Sequence, residues 1–110
     1  MTTPLFADRT ALVTGGARGI GRAICHMLAE NGANVAINYQ QNKSAANETL
    51  EAVESHGVQS LAVQADVSKA DEVDHMVARV RERFGPVDLL VNNAGISTTE
   101  EHHEFGFDVW

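Results

Sequence analysis

The residues with the clearest potential for chemistry are four glycines near the amino end of the chain, Gly15, Gly16, Gly19 and Gly21. They follow a short apolar run and precede a segment in which apolar residues recur with helical spacing. The amino end of a helix carries unpaired backbone N–H groups and about half a positive charge, which together attract an anion. Glycine lets the backbone come close to such an anion because it has no Cβ. The stretch therefore predicts a strand, a phosphate-binding loop and a helix.

The spacing of these glycines narrows the choice of phosphate ligand. The common dinucleotide pattern G-x-G-x-x-G is not present in the sequence. A nucleoside triphosphatase loop would need Lys and then Ser or Thr where Arg22 and Ala23 stand, so this class is disfavoured. The pattern that does occur is Thr-Gly-x-x-x-Gly-x-Gly over residues 14–21. The alternative to a ligand site at this stretch is a tight glycine turn that binds nothing.

Composition and charge limit the other functions. The chain has 110 residues, enough for one domain, and 44% of them are hydrophobic, as in a globular protein. A net charge of -7 with only 8 Lys and Arg residues disfavours nucleic acid and anionic membranes as partners. The sequence contains no apolar run of membrane-spanning length and no signal-peptide pattern, so we expect a cytoplasmic protein. The single cysteine, Cys25, cannot form an internal disulfide.

Strand and helix patterns alternate along the chain, which predicts a parallel sheet with helices between its strands. Ser68 is predicted to cap the third helix, and the last apolar run predicts a strand that is buried on both faces. The first helix is predicted to end near Asn31-Gly32 and to bury the face formed by Ile20, Ala23, Ile24, Met27 and Leu28. The predicted strands cover residues 10–14, 34–39, 60–65 and 87–92, with the second helix at 44–55 and the third ending at Phe84.

Three motifs, taken in this order, resemble the signature of the short-chain dehydrogenase/reductase family. They are the glycine pattern at residues 14–21, Asp66-Val67 after the third predicted strand, and Asn92-Asn93-Ala94-Gly95 at the end of the fourth. Each motif is weak alone, but each falls at the carboxyl end of a predicted strand, where open α/β sheets bind ligands. The resemblance extends from Asp8 to about Gly95, and residues 14–24 look most like β-ketoacyl-acyl carrier protein reductases.

The resemblance implies an α/β fold, a Rossmann-type parallel sheet of strand order 3-2-1-4 with helices on both faces. Residues 1–95 would form a dinucleotide-binding half-domain, and residues 96–110 a truncated tail leading into the next helix. It also implies a site for a nicotinamide dinucleotide. Thr14 would fix the loop, Gly15, Gly19 and Gly21 would cradle the pyrophosphate with Ala17 and Arg18 beside them, Ile20 would approach the nicotinamide, Asp66 and Val67 would hold adenine, and Asn93, Ala94 and Gly95 would line the ribose pocket.

The residues at the end of the second predicted strand, at the adenosine end of the site, bear on the choice of cofactor. Proteins of this type that prefer NAD usually place an acidic side chain there, whereas this chain has Asn38, Tyr39 and Gln40. No carboxylate repels a 2′-phosphate at these positions, and Arg18 and Lys43 are close enough in the predicted fold to attract one. NADP is therefore favoured over NAD. The alternative for both basic side chains is plain solvated surface charge.

The catalytic residues of the family are not found in this chain. Members use an Asn, a Ser and a Tyr-x-x-x-Lys pair downstream of the fourth strand, and the sequence reaches Trp110 without them. Tyr39 and Lys43 have the same spacing, but the family pair lies on a helix and Tyr39 closes a predicted strand. We therefore assign no catalytic residue.

The remaining reactive side chains predict no further site. Cys25 lies off the predicted apolar face of the first helix, and His26, His56 and His75 have no spaced partners, so we interpret them as packing, surface or capping residues. Residues 100–104 include two histidines and three glutamates, but no separated partner pair completes a metal site. A solvated acidic segment is the better interpretation, and no metal is predicted.

The sequence thus predicts the cofactor-binding half of an NAD(P)-dependent oxidoreductase that reduces a carbonyl or oxidises an alcohol by hydride transfer. The full-length protein would act on a small-molecule substrate as a homo-oligomer, and the 110-residue chain would be inactive alone. One alternative is a non-catalytic nucleotide-binding or interaction module from a truncated gene product. A methyltransferase is a weaker option, because methyltransferases, like NAD-preferring dehydrogenases, usually have an acidic residue after the second strand, where this chain has none.

Overall fold

The computed structural model describes residues 4–93 and contains one parallel sheet of four strands in the order β3-β2-β1-β4. The elements are β1 (Thr10–Thr14), α1 (Gly19–Glu30), β2 (Asn34–Tyr39), α2 (Lys43–Glu54), β3 (Ser60–Gln64), α3 (Ala70–Phe84) and β4 (Leu89–Asn92). The predicted strand order and the alternation of strand and helix are confirmed. The predicted boundary at residue 95 and the tail at 96–110 lie outside the described residues.

Two apolar layers cover the sheet, one on each face. Strand side chains alternate between the faces, so Ala11 and Val13 of β1 point to one layer and Leu12 to the other. The first layer contains α1 and α2, and the second contains α3, which confirms helices on both faces. The buried residues of the first layer are Ala11, Val13, Cys25, Leu28, Ala29, Ala33, Val35, Ile37 and Val53, and those of the second are Leu12, Ala36, Val63, Ala65, Val73, Met76 and Val80.

The predicted buried face of α1 is wrong in part. Leu28 is buried as expected, but Ile20 is 69% exposed and Met27 is 49% exposed. The buried residues of the helix are instead Gly21, Cys25, Leu28 and Ala29. The small residues Gly21 and Cys25 let the helix approach the backbone of the preceding loop closely, which larger side chains at these positions would prevent. Close approach to the loop therefore outweighs apolar periodicity in setting how α1 faces the sheet.

The predicted cap of α3 is also wrong. Ser68 donates both its backbone N–H and its hydroxyl to Asp66 Oδ1, at 3.0 and 2.7 Å, and the helix begins at Ala70. Lys69 occupies the N-cap position without a side-chain hydrogen bond. Asp66 and Ser68 thus form a local turn that ends β3, and the hydroxyl serves that turn rather than the helix.

Strand β4 differs from its prediction in length and burial. It begins at Leu89 rather than residue 87, and within residues 4–93 it pairs only with β1. Leu90 is 37% exposed, and the other three residues are only partly buried, so the strand is not buried on both faces. Within residues 4–93, then, β4 is an edge of the sheet. No helix in the described part of the chain is long and apolar enough to cross a membrane.

Candidate functional site

The glycine loop lies at the carboxyl end of β1, and two of its positions require glycine for different structural reasons. Gly19 adopts φ +58 with open space around its Cβ position, so it is needed for backbone conformation rather than for room. At Gly21 an added Cβ would collide with the carbonyl oxygen of Gly15 and lie 2.8 Å from Asn93 Nδ2. Gly21 is therefore needed for space, because α1 starts directly against the loop.

Asn38 holds the start of this loop from the adjacent strand β2. Its Oδ1 accepts from Gly15 N at 3.1 Å, and its backbone carbonyl accepts from Gly16 N at 3.0 Å. Its Nδ2 donates to the carbonyls of Ala65 and Val63 at 3.2 and 3.4 Å, at the carboxyl end of β3. Asn38 is only 2% exposed. The sequence places Asn38 at the adenosine end of the site, whereas the structure makes it a buried side chain that positions the loop.

The end of β4 holds the loop from the other side. Thr14 Oγ1 donates to Asn92 Oδ1 at 3.2 Å and to the Val91 carbonyl at 3.3 Å. Asn93 Nδ2 donates to the Gly15 carbonyl at 3.1 Å. The side chains of Thr14 and Asn93 thus join the carboxyl ends of β1 and β4. Fixing the loop is the role predicted for Thr14, whereas Asn93 is predicted to line the ribose pocket. Ala94 and Gly95, also predicted for the site, lie outside the described residues.

Thr49 is a residue of the loop's surroundings that sequence reasoning missed. It is fully buried on α2, and its hydroxyl donates to the carbonyl of Ala17 at 2.7 Å. The other buried positions of α2 are Ala46 and Val53, so Thr49 lies on the apolar face of the helix. A polar residue on an apolar face is the signal that could have found it, because buried hydroxyls need partners.

A pocket of about 660 Å³ opens in front of the loop. Two segments line it, the glycine loop from β1 and the turn that follows β2; the residues are Gly15, Ala17, Arg18, Gly19, Tyr39, Gln40, Gln41 and Asn42. Of these lining residues only Arg18 carries a charge. Lys43, considered with Arg18 for the same ligand group, is not part of the lining. The pocket therefore combines backbone amides with one cation and no carboxylate.

The amino end of α1 faces this pocket without a protein cap. Arg18 occupies the N-cap position in extended conformation, makes no side-chain cap hydrogen bond, and is followed by no acidic residue in the first turn. The first N–H groups of a helix have no partner within the helix, so here they are left for a ligand. An uncapped, positively polarised helix end beside Arg18 can hold a phosphate group.

Asp66 is placed at the carboxyl end of β3, as predicted, and stays ionised. The Ser68 hydroxyl and then the Ser68 N–H, both donating to the carboxylate, hold the pKa of Asp66 below its ordinary value. These bonds use Oδ1, and in the described part of the chain Oδ2 accepts none. Val67 follows, partly buried. Asp66 Oδ2 is thus available to a ligand, while the Val67 side chain packs against the second apolar layer.

The side chains with catalytic potential are not assembled for catalysis in the described residues. Tyr39 ends β2 and Lys43 begins α2, so the two do not share a helix. Burial raises the pKa of the Cys25 thiol to about 12, which makes it unreactive. His26 Nδ1 and His56 Nε2 lie 3.4 Å apart, a contact that the sequence did not predict. Residues 4–93 hold no cluster of three or more side chains suited to a metal ion.

The fold and the glycine loop define a Rossmann-type nucleotide-binding protein, with its site at the carboxyl ends of the parallel strands. The sequence matches the model of the short chain dehydrogenase family over residues 9–110. The chain therefore belongs to the short-chain dehydrogenase/reductase family of oxidoreductases.

Known relatives agree with this assignment. The chain is 52% identical over 90 residues to the 3-oxoacyl-acyl-carrier-protein reductase FabG of Staphylococcus epidermidis, an alignment that covers 82% of this chain and 37% of the reductase. It is 48% identical to the short-chain dehydrogenase/reductase homolog YusS of Bacillus subtilis, with 82% of this chain and 83% of that protein covered. The chain therefore spans little more than a third of the first relative and most of the second.

Solved structures show the same fold. A short chain dehydrogenase from Burkholderia cenocepacia, determined in complex with NADP, is 46% identical and superimposes with a TM-score of 0.79. The match covers 83% of this chain and 37% of that one. A blue fluorescent protein from a metagenomic library, determined in complex with NADPH, is 41% identical and superimposes with a TM-score of 0.78. That match covers 83% of this chain and 38% of the blue fluorescent protein.

Proposed function

We propose that this chain binds NADP(H) across the carboxyl ends of its strands and supplies the cofactor-binding half of an oxidoreductase that acts on a carbonyl or an alcohol. The observation that carries the proposal is the uncapped amino end of α1, which opens onto the pocket with Arg18 beside it. The NADP and NADPH complexes of two structural neighbours support the same cofactor. When bound, the reduced nicotinamide would supply the hydride.

The residues in place fit the parts of such a dinucleotide. The amides of Gly19, Ile20 and Gly21 in the first turn of α1 would take the pyrophosphate, because those N–H groups lack helical partners. The Asp66 carboxylate would accept a hydrogen bond from the adenine amino group, and the backbone N–H of Val67 would donate one to the adenine ring. The exposed Ile20 side chain would lie toward the nicotinamide, and the backbone at Asn93, directly after β4, would line the ribose pocket.

The choice of NADP over NAD rests on the turn after β2. The lining residues Tyr39, Gln40, Gln41 and Asn42 bring no carboxylate to the pocket, and Arg18 faces the same space. A 2′-phosphate would therefore meet a cation and no repelling charge. An Asp or Glu that accepts from the 2′-OH, the usual determinant for NAD, is not part of the lining.

A titration of the 110-residue chain with NADPH and NADH, followed by cofactor fluorescence, tests this proposal. We expect tighter binding of NADPH, and Arg18→Ala should narrow the difference between the two cofactors. Arg22→Ala is the matched control, because Arg22 lies one turn after Arg18 on α1, places its Nη1 3.6 Å from Glu48 Oε1, and does not line the pocket. A preference for NADH of about tenfold, equal to about 1.4 kcal/mol, would contradict the proposal.

Catalysis by the whole protein is a separate part of the proposal. The residues that would protonate the carbonyl are, by the family resemblance, absent from this sequence, so the 110-residue chain should bind cofactor without turnover. An assay with NADPH, several ketones and acetoacetyl thioesters tests this statement. Turnover that is abolished by Tyr39→Phe would contradict it. Homo-oligomerisation of the full-length protein and a cytoplasmic location remain predictions.

A further inference from the structure

Thr49 does not line the pocket, yet among residues 4–93 it makes the shortest side-chain hydrogen bond to the loop that does. Its hydroxyl lies 2.7 Å from the Ala17 carbonyl, whereas the Asn38 and Asn93 bonds to Gly15 are both 3.1 Å. Thr49 is fully buried and comes from α2, whose other buried residues, Ala46 and Val53, are apolar. Its contact is therefore a polar link between α2 and the ligand loop.

The acceptor of this bond belongs to the peptide that joins Ala17 to Arg18. A trans peptide is planar, and its N–H points opposite to its carbonyl. No peptide in residues 4–93 is cis. Because Thr49 holds the Ala17 carbonyl toward the interior, the N–H of Arg18 must point the other way. The same plane contains the Cα of Arg18, and together with the Arg18 φ of -145 it sets the direction in which the Arg18 side chain leaves the backbone to line the pocket.

We propose that Thr49 is a positioning residue for the dinucleotide, because its hydroxyl fixes the Ala17–Arg18 peptide plane and so aims Arg18 at the 2′-phosphate. This inference rests on the proposed function and adds a residue that would not touch the cofactor itself. It predicts that losing the hydroxyl weakens NADPH binding more than NADH binding, since NADH has no 2′-phosphate for Arg18 to meet. A purely structural role for Thr49 would weaken both cofactors equally.

The test is a titration of the 110-residue chain with NADPH and NADH for a series of variants. Thr49→Val keeps the volume and removes the donor, and we expect about tenfold weaker NADPH binding with a smaller effect on NADH. Thr49→Ser should restore the NADPH preference, because it returns a hydroxyl. Ser60→Ala is the matched control: Ser60 is also buried and donates to the Val35 carbonyl at 2.9 Å, but it starts β3, at the opposite end of the strands.

The outcomes separate the inference from the proposed function. If the wild-type chain binds neither cofactor, the proposed function is wrong. If it prefers NADPH and a folded Thr49→Val chain keeps the same ratio, the positioning role is wrong. If circular dichroism shows that the Thr49→Val chain is unfolded, Thr49→Cys, whose thiol is only a weak donor, is used instead. An unchanged ratio of NADPH to NADH binding in a folded Thr49→Cys chain would then show that the positioning role is wrong. In the double variant Arg18→Ala with Thr49→Val, the second substitution should cause no further loss of the preference for NADPH over NADH. If the losses of preference from the two single variants add in the double variant, the inference is contradicted.

Discussion

Replacing Asn38 by aspartate is expected to destabilise the fold strongly, although the two side chains have nearly the same shape. The amide nitrogen of Asn38 donates to the carbonyls of Ala65 and Val63 at 3.2 and 3.4 Å in a site that is 2% exposed. A carboxylate would put an acceptor oxygen against these two acceptors. Each buried group left unsatisfied costs about 1–3 kcal/mol, so we expect a loss of about 3–5 kcal/mol near neutral pH.

The loss should depend on pH in a defined direction. Burial and the two carbonyl oxygens disfavour the charged form, so the folded-state pKa of the new carboxyl would rise above its unfolded value of about 3.9. A raised pKa favours the protonated form in the folded state, and that form can donate to one carbonyl. Stability is therefore retained below about pH 4 and lost as pH rises through the folded pKa, by about 1.4 kcal/mol per pH unit.

Urea unfolding followed by circular dichroism at several pH values measures this effect. Asn47→Asp is the control, because Asn47 is exposed on α2 and a carboxylate there stays hydrated. The difference in unfolding free energy between Asn38→Asp and Asn47→Asp should grow from about pH 4 to about pH 7. A difference under about 1 kcal/mol at pH 7, or one that does not change with pH, would refute the role assigned to Asn38.

Three further results are expected. Gly21→Ala should weaken NADPH binding by at least about tenfold, because its Cβ would meet the Gly15 carbonyl. Gly57→Ala strains a backbone of φ +89 but has no atom within 4 Å of the new Cβ and follows α2, so it should lower stability and leave binding by the folded chain unchanged in the same titration. Cys25 should resist thiol reagents until the chain is unfolded in urea, and fast labelling of the folded chain would contradict its burial. Because burial raises the pKa of the Cys25 thiol from 9.0 to about 12, the free energy of unfolding should fall above about pH 9, and it should fall less in Cys25→Ala. Leu90→Lys should reduce self-association in size-exclusion chromatography with light scattering, because Leu90 is exposed on the β4 edge, and an unchanged mass distribution would argue against association there.

The strands and the loop could be predicted from the sequence because they depend on local patterns, whereas the strand order was implied by the family resemblance. Apolar runs mark the strands, and the glycines mark the loop where the chain needs positive φ or close approach, as at Gly19 and Gly21. The face of α1 was missed because periodicity weighs side-chain hydrophobicity alone. The packing of Gly21 and Cys25 against the loop depends on steric fit, which leaves the apolar Ile20 and Met27 exposed.

The polar residues of the site were harder to predict because their partners are distant in sequence. Asn38 meets Gly15 across 23 residues, and Thr49 meets Ala17 across 32. A sequence shows that such residues are polar, but only the fold shows that they are buried and which carbonyls or amides they satisfy. Asn38 was therefore assigned to ligand contact, and Thr49 was not considered at all.

The most direct test of the central claim is an amide NMR titration of the 110-residue chain with NADP+. Binding at the proposed site should shift the backbone amides of residues 15–21, those of 39–42, and those of Asp66 and Val67. The amides at the end of α3, residues 79–84, should not move, because they lie at the opposite end of the sheet from the loop. Shifts centred on α3, or no shifts at saturating NADP+, would contradict the account.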